Sequence, residues 1–292
     1  MPELPEVETM RRGLDGCIGR RIAGVTKPRC RLKPIVISPA LATMRRRLVG
    51  QRIVGTGRAG KRVLVHLDTE DSLVFEPRMT GIVLVAEPPN REHLRLGFQF
   101  GDQLSPEELM YWDRRGLGSV RLMNAEQRDA AFGSDKLGPD ALAITAAQLK
   151  SNLQSSRREI KVALLDQRCV AGIGNLYAAE ILHVAGIHPR RRCDQLNESQ
   201  WKRLVDATRS VLRKAIRYEG STLSDGTYRN ALNKQGGYQN YHRVYDRVGK
   251  PCPQCGKKTI ERIVQAQRAT FFCTTCQPLR QRNGRLKSRL KI

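Results

Sequence analysis

The sequence predicts an α+β chain, in which one N-terminal helix and an antiparallel β-sandwich are followed by a helical domain and a C-terminal four-cysteine zinc finger. Three observations carry this expectation. Short apolar runs, one with period-two alternation, fill residues 20–125 between glycine and aspartate turns. From about residue 145 the apolar residues recur at helical spacing instead. Near the end, Cys252-Pro253-Gln254-Cys255 and Cys273-Thr274-Thr275-Cys276 stand 17 residues apart, which is the spacing of a structural zinc site.

The first element is a helix. Pro5 suits a first helical position, Glu6 and Glu8 suit the positive helix end, and Val7, Met10, Arg11 and Leu14 follow at helical spacing. Leu4 precedes a proline and is disfavoured from the helical region, so Pro2 and Glu3 are expected to project beyond the helix start. Residues 21–31 are basic and irregular, with Pro28 and Pro34 as breakers. Ile53-Val54, Val63-Leu64-Val65, Leu73-Val74-Phe75 and Ile82-Val83-Leu84-Val85 read as strands. The stretch from His93 to Phe100 places an apolar residue at every second position, and Gly101-Asp102 then supplies a turn.

The pattern then changes. Gly138-Pro139 marks a linker over 133–146, and Thr145-Ala146-Ala147-Gln148 reads as a capping box opening a helix. Further helices are expected over 160–167 and 175–185. Trp201, Leu204, Val205, Thr208, Val211, Leu212, Ala215 and Ile216 form an amphipathic face that ends at Gly220. The expected domains are therefore 1–132 (β-sandwich), 133–146 (linker), 147–240 (helical), 241–277 (finger) and 278–292 (a basic, disordered tail).

Lysine and arginine total 52 against 28 acidic residues in 292, a net charge of +24. Such a surplus on a foldable chain points to a polyanionic partner, nucleic acid ahead of an anionic membrane surface. With no apolar run of about 18 residues and no charged-then-apolar leader, a spanning or secreted protein is not expected, and an intracellular one is. In that setting, cysteines paired two residues apart favour metal over disulfide, while Cys17, Cys30, Cys169 and Cys193 are scattered. A closed four-cysteine site leaves no open metal position, so its zinc is expected to hold a small β-hairpin in place. That hairpin would carry Arg268 at a phosphate-facing tip, and the tail, which lacks acidic residues, would add non-specific nucleic-acid affinity.

The extreme N-terminus is a candidate reactive centre. Once Met1 is removed, Pro2 supplies a secondary amine beside the Glu3 carboxylate. An α-amino group titrates near 7.7 to 8.0 and a lysine near 10.4, so at pH 7 about a sixth of the first and about 0.04% of the second is free base. The positive end of the helix that follows disfavours protonation further.

The Pro-Glu-Leu-Pro-Glu-Val-Glu start together with the terminal four-cysteine finger resembles the formamidopyrimidine-DNA glycosylase family. Further landmarks in order are Gly60-Lys61; Asp113-Arg114-Arg115-Gly116; Gly172-Ile173-Gly174-Asn175-Leu176-Tyr177; Ala185-Gly186-Ile187-His188-Pro189; and Ala266-Gln267-Arg268-Ala269-Thr270-Phe271. The resemblance runs to about residue 277 and implies a β-sandwich, a helix-two-turn-helix domain and a zinc finger, with damaged duplex DNA between the lobes. It implies excision of oxidised purines followed by strand nicking, by a monomer. Pro2 would be the nucleophile and Glu3 its acid/base partner, with Lys61 and Arg268 gripping phosphates and assisting elimination. Met79, Arg115 and Leu117 would fill the gap left by an extruded base, and His93, Arg157 and Asn175 would contact DNA; Asn175, after two glycines and before an apolar helical pattern, is expected to cap that helix and present its N-terminus to a phosphate. Cys252, Cys255, Cys273 and Cys276 would hold one zinc ion.

Two departures stand out. Glu76-Pro77-Arg78-Met79-Thr80-Gly81 stands where the family usually has His-Leu-Gly-Met-Ser-Gly. Asp113-Arg114-Arg115-Gly116-Leu117-Gly118 stands where it has Asp-Pro-Arg-Arg-Phe-Gly, so the aromatic wedge becomes Leu117. The competing readings are the sister branch acting on oxidised pyrimidines, which usually starts Pro-Glu-Gly-Pro, and a non-catalytic zinc-finger protein that binds damaged DNA.

Overall fold

A computed structural model describes residues 2–279 except Gln103 and Asp225. Met1, and all of the expected basic tail beyond Leu279, lie outside the described residues. Helix α1 spans Leu4–Gly13, with Glu3 as its N-cap. It therefore begins one residue earlier than the proline rule implies. The Glu3 N–H donates to Glu6 Oε2 at 2.9 Å and the Leu4 N–H to the Gly172 carbonyl at 3.0 Å. Those two bonds fix the first turn and outweigh the bias against a helical residue before proline. Pro2 lies outside the helix, as expected.

The chain continues through β1 (Ile22–Thr26), β2 (Val36–Ser38), α2 (Leu41–Leu48), β3 (Ile53–Ala59), β4 (Arg62–Leu67), β5 (Ser72–Glu76), β6 (Gly81–Leu84), β7 (Leu94–Phe100), β8 (Glu108–Asp113), β9 (Ser119–Met123) and α3 (Ala125–Phe132). One sheet has the order β1-β7-β8-β6 and the other β2-β9-β5-β4-β3. The expected antiparallel pairing holds except at the edge, where β2 runs parallel to β9. Between the sheets the Phe75 ring meets Phe98 edge-on at 5.8 Å and Tyr111 at 5.8 Å. Val7, Met10 and Leu14 of α1 enter the same core.

The alternating stretch forms β7, but Arg95 on its other face is also buried. Its guanidinium donates to the carbonyls of Asp113 (2.8 Å) and Lys33 (3.0 Å) and so braces the loop that follows β8.

The second lobe contains α4 (Ala146–Leu153), α5 (Ile160–Ala163), α6 (Asn175–Ala185) and α7 (Glu198–Arg217). Thr145 caps α4 through the expected box with Gln148. Helix α5 stops short of residue 167 and leaves the Gln167 side chain free to bond Leu165, Gly172 and Ile173 backbone groups. Helix α6 ends at Gly186, whose φ of 65° is the left-handed conformation that suits glycine. Residues 133–146 are bound to the lobe rather than loose: the Gly138 N–H donates to the Gln167 carbonyl at 2.9 Å, and Ala141 and Ile144 are buried. Leu4 of α1 belongs to this lobe's core, so α1 is shared by both lobes.

The last element is a hairpin of β10 (Glu261–Gln265) and β11 (Arg268–Phe272). Its two-residue turn, Ala266-Gln267, has positive φ at both positions, as the twist of a tight hairpin demands. Ile260 and Phe271 pack with Val244 and with Ala179 of α6, which seats the finger on the helical lobe. No helix among the described residues is long and apolar enough to cross a membrane.

Candidate active site

Glu3 is the hinge of the site. It is 4% exposed, and its carboxylate accepts three backbone N–H groups at the start of α6: Gly174 (2.7 Å), Leu176 (3.0 Å) and Tyr177 (3.3 Å). These are the donors that a helix leaves unpaired at its N-terminus, where a negative charge is also favoured. Gly174 must be glycine here, since a Cβ would stand 2.3 Å from the Glu3 carboxyl carbon. The expectation that Asn175 caps α6 and turns its N-terminus to a phosphate is therefore corrected. Gly174 is the N-cap, Asn175 is the first helical residue, and the helix end is directed at Glu3.

Pro2 and Glu3 line a cavity of about 300 Å³ between the lobes, together with Glu6, Met79–Ile82, Leu176, Ser221, Tyr228 and Tyr245. In sequence Glu6 reads only as an acid at the positive end of a helix. In the structure it is 3% exposed, with Oε1 accepting from Tyr177 Oη (2.6 Å) and the Ser221 N–H (2.9 Å). Burial, reinforced by the neighbouring Glu3 charge, pushes its carboxyl up to about 7.

Lys61 lies in the β3–β4 turn. Burial lowers its ammonium pKa, with Glu3 opposing that shift and Arg268 adding to it. Glu3, Lys61 and Arg268 are thus brought into one electrostatic neighbourhood. A fourth member, Lys161, had no signal in the sequence beyond being one cation among many. It is 0% exposed and donates to Asn175 Oδ1 at 2.6 Å. Burial and the Arg268 charge lower it to about 8. Asn175 Nδ2 donates in turn to the Ala269 carbonyl at 3.0 Å, tying α6 to the strand that begins with the exposed Arg268.

On the opposite rim, Met79 is 41% exposed and Leu117 38% exposed, and Arg115 Nη1 approaches Met79 Sδ at 3.5 Å. Buried Asp113 organises this rim by accepting from Thr80 Oγ1 (2.5 Å), the Arg115 N–H (3.2 Å) and the Gly118 N–H (2.9 Å). Gly116 has a φ of +61°, and a Cβ there would lie 2.1 Å from the Lys33 carbonyl, so the basic segment before β2 supports the loop directly. Glu76 pairs with Arg62 (3.3 Å) and Arg78 (3.1 Å), which neutralises the acid that replaces the usual histidine. His93 packs edge-on against Trp112 at 5.2 Å and leaves Nδ1 buried without a partner. Arg157 is exposed in the α4–α5 connection and is not among the residues that line the cavity.

The four cysteine sulfurs lie within 4.8 Å of one another. Cys252 and Cys276 are 3.8 Å apart and Cys255 and Cys273 3.7 Å apart. A tetrahedron with metal–sulfur bonds of about 2.3 Å has edges of about 3.8 Å. The set fits one structural zinc ion, and four thiolates leave it no open position.

Comparison with known proteins decides the family. The formamidopyrimidine-DNA glycosylase N-terminal domain matches residues 1–120, the formamidopyrimidine-DNA glycosylase H2TH domain matches 137–227, and the zinc finger found in FPG and IleRS matches 249–279. The chain belongs to the formamidopyrimidine-DNA glycosylase family. The formamidopyrimidine-DNA glycosylase of Chloroflexus aurantiacus is 41% identical over 281 residues, covering 95% of this chain and 98% of that one. The protein of the same name from Chloroflexus aggregans is 42% identical over 290 residues, covering 96% of this chain and 100% of that one. Among solved structures, a Lactococcus lactis FPG mutant in complex with a Fapy-dG containing DNA gives a TM-score of 0.83 at 33% identity, covering 95% of this chain and 100% of that one. The FPG protein from Thermus thermophilus gives 0.81 at 36%, covering 94% and 98%. The family's three parts correspond to the sandwich, the helical lobe and the finger described above.

Proposed function

We propose that the residues around Pro2 carry the chemistry of this DNA glycosylase of base excision repair, acting as a monomer on duplex DNA that contains an oxidised purine, formamidopyrimidine or 8-oxoguanine. Extruding the base costs a few kcal/mol and leaves a gap in the stack. Met79, Arg115 and Leu117 fill it, with Arg115 pairing with the orphaned base. With Met1 removed, the Pro2 nitrogen attacks the anomeric carbon, the glycosidic bond breaks, and the base leaves. Glu3 takes the proton that the attacking Pro2 amine sheds and delivers it to the ring oxygen as the sugar opens to a cationic Schiff base on Pro2. That cation accepts the electrons released as a C2′ proton is lost, so the 3′ phosphate departs and a second elimination releases the 5′ phosphate.

Lys61 and Arg268 hold the phosphates flanking the lesion, and Asn175 holds the Arg268 hairpin to α6 while offering its second amide N–H to the backbone. His93 and Arg157 are proposed DNA contacts further along the duplex. Zinc supplies no chemistry and keeps the hairpin folded. The protein works where the DNA is, in the cytoplasm and at the nucleoid.

The observation that carries this reading is the wall of the cleft: the amine-bearing residue and a carboxylate fixed by three N–H donors line a cavity opposite Met79. Borohydride reduction in the presence of a duplex with one oxidised guanine tests it. An adduct mapped to the Pro2 nitrogen supports the mechanism. Lesion binding without an adduct, on protein lacking Met1, leaves the non-catalytic binder.

A further inference from the structure

Helix α6 makes a polar contact at each end. Its first N–H groups hold Glu3, and its last turn carries His183, a fully buried side chain that the chemistry above does not use. His183 stands one turn beyond Ala179, the α6 residue that packs into the finger's own core with Cys252 and Cys273, so helical spacing turns it to the finger as well. Its Nε2 lies 3.4 Å from Cys252 Sγ, and its Nδ1 is buried with no hydrogen-bond partner among the described residues. We infer that His183 is a positioning residue of the zinc site, which donates its Nε2–H to the Cys252 thiolate and thereby slows loss of the metal.

The direction of the bond follows from what the metal requires. Zinc is held by thiolates, so a metal-bound Cys252 has no proton to give and its sulfur can only accept. An imidazole with its proton on Nδ1 would turn the bare Nε2 lone pair toward that sulfur and set two electron-rich atoms against each other. Its N–H would meanwhile stay buried with nothing to receive it. The form with the proton on Nε2 removes both faults and leaves only the bare Nδ1 unpaired.

Packing alone does not call for a polar ring here, since an apolar one would fill the same space without burying an unpaired nitrogen. The offset is electrostatic. Four thiolates carry more negative charge than a divalent ion cancels, and a donated N–H stabilises the excess. Cys255 and Cys276 are half-buried and meet solvent, whereas Cys252 is 1% exposed and takes a donor from the protein instead. The same helix holds ring and sulfur in register: Glu180 of α6 accepts the N–H groups of Arg243 (2.9 Å), Val244 (2.9 Å) and Tyr245 (2.8 Å) and so fixes the segment that leads into the finger. Hydrogen-bond partners of metal ligands typically change metal affinity about 10- to 100-fold.

The test uses the full-length, zinc-loaded protein as wild type, His183→Phe and His183→Gln. Phenylalanine fills the space of the ring without a donor, whereas a glutamine amide N–H reaches the Nε2 position. Zinc release to an excess of the chromogenic chelator pyridylazoresorcinol is expected to quicken about tenfold or more in His183→Phe and to stay within about threefold of wild type in His183→Gln. Equal release from His183→Phe and wild type overturns the inference, as does an equal acceleration in both variants, which marks lost packing alone. A second measurement needs no variant: long-range proton–nitrogen spectra of protein with labelled histidine show which nitrogen of each of the five rings carries the proton. The ring that responds when cadmium replaces zinc is expected to carry it on Nε2. A proton on Nδ1 of that ring, or no ring that responds, overturns the inference. Both readouts follow the metal site and are blind to the chemistry at Pro2.

Discussion

Replacing Glu3 by glutamine keeps the shape of the side chain and removes its charge, which isolates what the carboxylate does for α6. Oε2 receives the Gly174 and Tyr177 N–H groups and Oε1 the Leu176 N–H. Glutamine has one oxygen for both places, so its amide must face at least one helix N–H and leave that donor buried and unpaired. The orphaned group costs about 1–3 kcal/mol. Loss of the charge at the helix N-terminus adds about 0.3–1 kcal/mol. A destabilisation of roughly 3 kcal/mol is expected, and at about 2–4 °C per kcal/mol for domains of this size the melting temperature falls by about 6–12 °C. Calorimetry measures this, and amide hydrogen exchange localises it: protection at residues 174–177 falls most. A Glu3→Gln melting temperature within about 1 °C of wild type, with unaltered exchange at those residues, would refute the capping argument.

Glu6 ties stability to pH. Its carboxyl is raised from an ordinary 4.5 to about 7. The folded state therefore binds more protons than the unfolded state between those values, and the contribution of Glu6 falls by roughly 3 kcal/mol as pH rises through that window. Glu6→Gln is expected to flatten the denaturation midpoint over the same range; an unaltered slope would show that the group is not raised. Cys255→Ser should release zinc, read with a chromogenic chelator, and lower abasic-strand cutting by about tenfold or more because the Arg268 hairpin loses its anchor. Full cutting without metal would remove the structural role. Leu117→Phe should sharpen lesion discrimination by about tenfold, within the about 1–3 kcal/mol that aromatic stacking on a base supplies, and identical single-turnover preference would show that the position does not enter the duplex. Pro2→Gly should bind lesion DNA in a gel-shift assay and lose most base excision; wild-type turnover would exclude the amine as nucleophile.

Much of this architecture was legible because the signals were local. Cysteine spacing marks the finger, a Thr145/Gln148 box marks the start of α4, and apolar residues at helical spacing from Trp201 to Ile216 mark α7. Helix α2 was missed because it buries only Met44 and Leu48, a single i,i+4 pair between two strands. Helix α3 buries no residue and rests on the Asn124/Gln127 box, with no apolar stripe to mark it in the sequence. The site was legible where a motif named the residue and opaque where burial made the residue matter. Glu6 and Lys161 are ordinary in sequence, and each gains its character from partners that the fold brings in from elsewhere in the chain. Asn175 shows the same limit in reverse: an asparagine after two glycines reads as a cap, but a glutamate more than 170 residues away had taken the helix end.

The sharing of α1 between two cores also orders events during synthesis. The partners of Glu3 and Glu6 lie 171 to 215 residues downstream. At about 5–20 residues per second, a ribosome needs roughly 10 to 40 s to reach them. Throughout that interval the Glu3 and Glu6 carboxylates lack these partners, and the nascent end stays open to a processing aminopeptidase. Removal of Met1, which the proposed chemistry requires, is thereby separated in time from the folding step that closes the cleft around Pro2.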